Sequence, residues 1–145
     1  MEVAQFLTPD QEKEVIQAIR RAEKDTSGEI RVHLEKGLDR DPLERAQEVF
    51  YQLGMDKTTF KNGVLFYVAV DDHQFAIIGD EGIDKCVPGD FWESVKDEVI
   101  GELAKENHGA GLAKGILHAG QKLKEYFPYR ADDENELPDD ISKHH

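Results

Sequence analysis

The residues with the most evident chemistry are acids in a glycine-punctuated run, Gly79-Asp80-Glu81-Gly82-Ile83-Asp84. Carboxylates supply the hard oxygen ligands that Ca2+ and Mg2+ prefer. Glycines let the backbone bend tightly enough to bring them together. Repulsion among clustered acids raises their pKa unless a cation neutralises them, so such a cluster favours cation uptake. Asn62, before Gly63, offers an amide oxygen to the same set, and Glu29 a further carboxylate. The run lacks the Asp spacing and distal Glu of an EF-hand loop, and acids stand where a phosphate loop would place its lysine. The competing reading of Asp80 and Glu81 is a solvated turn.

A second group of acids is Asp71-Asp72, with Glu35 and Asp39. In open α/β sheets, ligands sit outside the carboxyl ends of parallel strands, and that rule points here. Against it, Asp-Asp in a hairpin turn is ordinary turn chemistry. His33 falls on the polar face of an alternating stretch and reads as a surface histidine. His108 precedes Gly109 at a helix break and reads as a C-terminal cap. Neither has a partner histidine at metal-ligand spacing. Cys86 is the single cysteine. It excludes an intrachain disulfide and a cysteine-based zinc site, and reads as a small buried hydrophobe. Trp92 reads as core, and Asn62-Gly63 also fits a plain turn.

The elements that must position these groups alternate in type. Thr8-Pro9-Asp10-Gln11 starts a helix, with Thr8 as cap, Pro9 in the first turn and Gln11 closing a capping box. Val15, Ile16, Ile19 and Ala22 share one face of it. Glu29–Glu35 alternates strictly, with Ile30, Val32 and Leu34 inward, and predicts a half-buried strand with Glu29, Arg31, His33 and Glu35 outward. Asp41-Pro42-Leu43-Glu44 starts a second helix that Gly54 caps at its end. Val64–Val70 is continuously apolar and reads as a strand covered on both faces. Asp71-Asp72 turns the chain into Phe75–Ile78, a hairpin partner. Helices are predicted from Asp90, with a capping box to Glu93, and from about Gly111, ending at Pro128. The order α-β-α-β-β-α-α contains one βαβ unit, expected parallel and right-handed, plus an antiparallel strand. The expected fold is a small three-layer α/β/α sandwich with a mixed sheet. Its first two strands begin, and its third ends, at one edge, which gathers Glu29, Asn62 and Asp80.

Charge narrows the partners. The 145 residues carry 18 basic and 31 acidic side chains, a net charge of -13. That disfavours nucleic acid and an anionic membrane surface, and suits cations. The domain is expected over 1–130. Residues 131–145 hold six acids against Lys143 alone, without periodicity, and are expected to form a disordered tail. Met1–Leu7 shows no basic n-region or apolar h-region, and Val64–Val70 is too short to span a bilayer. The expectation is a soluble chain, cytoplasmic by default.

Several motifs together resemble the TPM domain family. They are Thr26-Ser27-Gly28-Glu29-Ile30-Arg31-Val32, Asn62–Ala69, Phe75–Asp80 with Gly82-Ile83, and Gly111-Leu112. The likeness spans roughly residues 8 to 128. It implies a Rossmann-like α/β/α sandwich, divalent ions such as calcium, and acid phosphatase activity as described for some members. The Asp80-Glu81 pair between Gly79 and Gly82 departs from the common family form. Many members also carry a leader and a membrane or glycine-rich tail, which are not visible here.

Three functions follow as expectations. One is an interaction or regulatory module that binds Ca2+ or Mg2+ through Asp80, Glu81, Asp84, Glu29 and Asn62, or through Asp71 and Asp72. Another is a metal-dependent phosphatase, although no clear nucleophile or arginine cluster is present and Arg31 and Lys61 are scattered. The third is a protein-binding domain without metal.

Overall fold

The computed structural model describes residues 2–37, 39–129 and 137–144. A four-stranded mixed sheet has the order β3-β2-β1-β4. Its strands are β1 (Glu29–Glu35), β2 (Gly63–Ala69), β3 (Gln74–Gly79) and β4 (Ile141–His144). Five helices accompany it: α1 (Pro9–Ala22), α2 (Pro42–Gln52), α3 (Glu81–Asp84), α4 (Glu93–Ala104) and α5 (His108–Leu123). β1 pairs parallel with β2, from Glu29 against Gly63 to Glu35 against Ala69. β3 returns antiparallel, with Val64 opposite Gly79. This is the α/β/α sandwich that the sequence predicts.

Helix starts follow local chemistry. Thr8 and Gln11 close the predicted capping box on α1, and Asp41 accepts the Leu43 N–H at the start of α2. Gly54, at φ 70°, turns the chain left-handed after α2, a conformation that glycine adopts without a Cβ clash. α1, α4 and α5 cover one face of the sheet. There Ile19, Val99, Leu112 and Ile116 pack on Ile30, Val32, Phe66 and Ile77. α2 covers the other face, where Ala46, Val49 and Phe50 meet Leu65, Tyr67 and Ala76.

Four expectations change. The polar face of β1 is not open to solvent: Glu29, His33 and Glu35 are all buried. β1 is flanked by β2 and β4, and these side chains find partners inside: Glu29 takes the Leu137 N–H, His33 meets Ser142, and Glu35 meets Arg45. Arg31 alone on this face is half-buried. Second, the acidic tail forms β4 over 141–144, paired parallel with β1 from Val32–Ile141 to Glu35–His144. Leu137 and Ile141, the apolar residues among the acids, are buried and anchor it; residues 130–136 and 145 lie outside the described residues. Third, α4 begins at Glu93 without the Asp90 capping box, because Phe91 and Glu93 donate their N–H groups into turns with Pro88 and Asp90. Fourth, α5 begins at His108. Glu106 sits left-handed at φ 62° and Asn107 N–H closes α4 on Glu102, so His108 opens the next helix instead of capping the last.

Candidate functional site

The edge where β1 and β2 begin and β3 ends gathers the first predicted set. Asp80 N–H donates to Gly63 O at 2.9 Å, and Glu29 N–H to Asn62 O at 3.0 Å. Asp80 does not sit in an open loop. It caps α3, its Oδ1 accepting the Glu81 N–H at 2.7 Å. The acidic run therefore becomes a single helical turn. Gly82 is required there, since a Cβ would lie 2.4 Å from Phe60 O and 2.5 Å from Lys61 O.

Asp80 is only 6% exposed, and its Oδ2 has no hydrogen-bond partner among the described residues. Asn62, 3% exposed, is in the same position: Nδ2 donates to Ser27 O at 2.6 Å, while Oδ1 is buried without a partner. Buried polar oxygens are ordinarily satisfied, and one left bare costs roughly 1–3 kcal/mol. Asp84 completes the group. Burial and the nearby Asp80 carboxylate push its pKa up. Asp80, Glu81, Asp84 and Lys85 line a cavity of about 540 Å³, closed on its other side by Gln47, Phe50 and Tyr51. This is a set of hard, partly unsatisfied oxygens, the donor chemistry of Ca2+ or Mg2+. Among the described residues, no three His, Cys, Asp or Glu side chains converge as a ready-made metal site. Of the three carboxylates only Asp80 is buried; Glu81 and Asp84, both on the single turn of α3, are exposed.

Other members of the predicted set are engaged elsewhere. Glu29 Oε1 accepts the Leu137 N–H at 2.7 Å and so holds the chain entering β4. Asp71 and Asp72 lie at the opposite edge. Asp71 N–H donates to Lys36 O at 2.8 Å, and Asp72 Oδ2 accepts the Asp39 N–H at 3.2 Å. The two edges are separate, and the structure does not combine their acids.

The most connected polar group among the described residues is Glu35, which the sequence placed with Asp71-Asp72 but without its partners Arg45, Tyr67 and His33. Glu35 accepts from Arg45 Nε at 2.8 Å and Nη2 at 3.1 Å, from Tyr67 Oη at 2.5 Å and from His33 Nε2 at 3.1 Å. Because a carboxylate accepts, His33 carries its proton on Nε2. Its Nδ1 then takes the Ser142 hydroxyl at 2.9 Å. Burial alone would raise the Glu35 carboxyl, but the bonds from Arg45, Tyr67 and His33 hold it at about 2. Burial lowers the His33 pKa, against the opposing pull of Glu35. Serine, histidine and carboxylate stand in the order of a hydrolase triad. Both Glu35 oxygens are already taken, however, and the ring is buried, so the trio braces β4 against β1. The signal lay in the topology: a βαβ strand is covered on both faces, so a polar stripe on it requires internal partners. Cys86, expected buried, is exposed, because Ile83 of the same turn takes the inward position at 0% exposure.

The comparisons agree on the fold. A family model described as the TPM domain matches residues 1–122. The solution structure of BA42 protein from the psychrophilic bacterium Bizionia argentinensis is 48% identical, covers 98% of both chains and superposes with a TM-score of 0.91. Two more distant structures share the fold. The N-terminal domain of the cg2496 protein of Corynebacterium glutamicum has 14% identity and TM-score 0.65, covering 98% of this chain and 83% of that one. An N-terminal domain from P. gingivalis has 21% identity and TM-score 0.69, covering 86% and 80%. No curated protein matches the chain. No helix among the described residues is long and apolar enough to cross a membrane.

Proposed function

Because this chain belongs to the TPM domain family, we propose that it binds a divalent cation, Ca2+ or Mg2+, through Asp80, Asp84 and the Asn62 amide, as an interaction or regulatory module. One observation carries the reading: Asp80 Oδ2 and Asn62 Oδ1 are both buried without a partner at the same sheet edge. An ion that accepts their lone pairs removes that cost and offsets the desolvation and the Asp80 repulsion that together raise Asp84. With two carboxylates, the remaining coordination falls to Glu81 and water, so affinity is expected near the roughly 10⁻⁴–10⁻³ M of weak calcium modules. Tyr51 and Phe60 stand 65% and 52% exposed. Tyr51 lines the cavity, and Phe60 follows from the Gly82 approach; both offer aromatic surface to a protein partner.

The test is an amide-shift titration of the full chain with CaCl2 and MgCl2, with Asp80→Asn in parallel. Saturable shifts at Asn62, Asp80, Glu81 and Asp84 that vanish in the variant support the reading. An unchanged spectrum at 20 mM of either ion defeats it.

A second reading is a metal-dependent phosphatase, supported by Lys85, whose charge lines the same cavity as the acids. A bound metal would polarise a phosphoryl oxygen or lower the pKa of a water; Lys85 would hold the phosphate. Turnover of p-nitrophenyl phosphate with Ca2+, Mg2+ or Mn2+ that disappears in Asp80→Ala supports it. Turnover that persists in the variant refutes it.

A further inference from the structure

A second cavity, of about 410 Å³, opens at the carboxyl end of β2, between the β2–β3 turn, the end of α4 and the start of α5. It lies at the edge opposite Asp80 and does not depend on the cation reading. The carboxyl ends of strands are where open α/β sheets place their ligands. Small-molecule sites run from roughly 300 to 1,000 Å³ with apolar walls and a few converging polar groups. The walls here are Phe6, Val68, Val70, Phe75, Ile100 and Leu103.

The polar groups decide what fits. They are Asp71, His73, Glu106 and His108, with no lysine or arginine among the described lining residues. The His108 ring stacks on Phe6 at a centroid distance of 4.1 Å, and its Nδ1 lies 3.2 Å from the Phe6 carbonyl oxygen. A carbonyl accepts, so Nδ1 carries the proton, and Nε2 of the neutral ring is an acceptor. Two carboxylates and an imidazole acceptor thus surround an apolar hollow. The lining gives no fixed positive charge to hold an anion, and the chain as a whole carries -13. His73 and Glu106 are also two of the four described non-glycine residues with left-handed backbone, at φ 53° and 62°. Both turn the chain at the rim of the cavity, His73 between β2 and β3 and Glu106 between α4 and α5.

We propose that this crevice binds a small apolar amine as its ammonium ion, its hydrocarbon body against Phe6, Phe75 and Leu103 and its charged head toward Asp71, Glu106 and His108. A carboxylic acid of the same shape is repelled.

The probe is 2-phenylethylamine, titrated into the isotope-labelled full chain at pH 7 beside 2-phenylethanol and phenylacetate. The amine is expected to shift the amides of Val70, His73, Ile100, Leu103 and His108 saturably. The alcohol should bind about threefold more weakly, as one solvent-accessible ion pair allows, and phenylacetate should leave these signals in place. Glu106→Gln should remove most of the preference for amine over alcohol. Ile100→Trp, at a position 43% exposed, should fill the mouth and abolish binding of both. The proposal is overturned by an absence of shifts at tens of millimolar amine, by equal affinity for amine and phenylacetate, or by shifts confined to Asp80 and Asp84.

Discussion

Replacing Glu23 with glutamine should make the protein more stable, and by an amount that depends on pH. Glu23 follows α1 and accepts the Ile30 N–H through Oε2 at 3.0 Å. Burial pushes its pKa up to about 9; a hydrogen bond to the Asp139 carboxyl and the charges of Asp139 and Glu29 add to the shift, while the Ile30 bond opposes it. Arg20 Nε stands 3.9 Å from Asp139, too exposed to cancel that field. The folded pKa lies above the ordinary 4.5. The protonated pair therefore contributes fully below pH 4.5, and its contribution is lost as pH rises toward 9. Each unit is about 1.36 kcal/mol, so holding the proton at pH 7 costs the fold about 3 kcal/mol. Glutamine keeps both bonds, N–H to Asp139 and C=O to Ile30 N–H, and has no proton to lose. Urea unfolding of both proteins at pH 4, 7 and 9 reads the difference directly, since all other groups cancel. The expected result is near equality at pH 4 and a variant more stable by about 3 kcal/mol at pH 7. Parallel stability curves across this range would refute the shared-proton account of how β4 is seated.

Two other substitutions probe the interior. Arg45→Met leaves Glu35 buried beside Tyr67 and His33, and calorimetry should show a loss of about 3–5 kcal/mol at pH 7. Glu35 is held at about 2, below its ordinary 4.5, so the native pair's contribution is present above pH 4.5 and fades as pH falls through 2; the gap between native and variant should close in that window. Gly82→Ala drives a methyl into the Phe60 and Lys61 carbonyls. Denaturant melts should place its cost at about 1–3 kcal/mol, with the largest amide shifts at Asp80 and Asn62.

The elements were legible because their signals are local. The Thr8 box, the Gly54 cap and the apolar run of β2 each carry their instruction within a few residues, and the structure follows them. The shared edge of Glu29, Gly63 and Asp80 also followed, because parallel and antiparallel pairing of known strands fixes which ends meet. The partners of β1 were not legible. His33 meets Ser142 across 109 positions, and Glu29 meets Leu137 across 108. Alternation reports which residues share a face, but not whether something covers that face. An acidic tail conceals a strand when its anchors are two apolar residues, Leu137 and Ile141, and polar contacts to distant residues.

The same alternation conceals a difference between two buried acids. Glu35 and Asp80 are both removed from water, at 1% and 6% exposure. Glu35 receives donors from three side chains, and the consequence is a carboxylate fixed at about 2. Asp80 receives one backbone N–H on Oδ1 and nothing on Oδ2. A fold that satisfies one carboxylate so fully has the means to satisfy the other; Lys85, next to the same cavity, is close enough in sequence to serve. Desolvation without compensation favours neutral acid or captured cation. Desolvation and the Asp80 charge both push the Asp84 pKa up. A divalent ion offers both acids the second course. Glu35 belongs to the architecture, whereas Asp80 keeps one oxygen without a partner among the described residues; the two differ in hydrogen-bond satisfaction, since both are buried carboxylates.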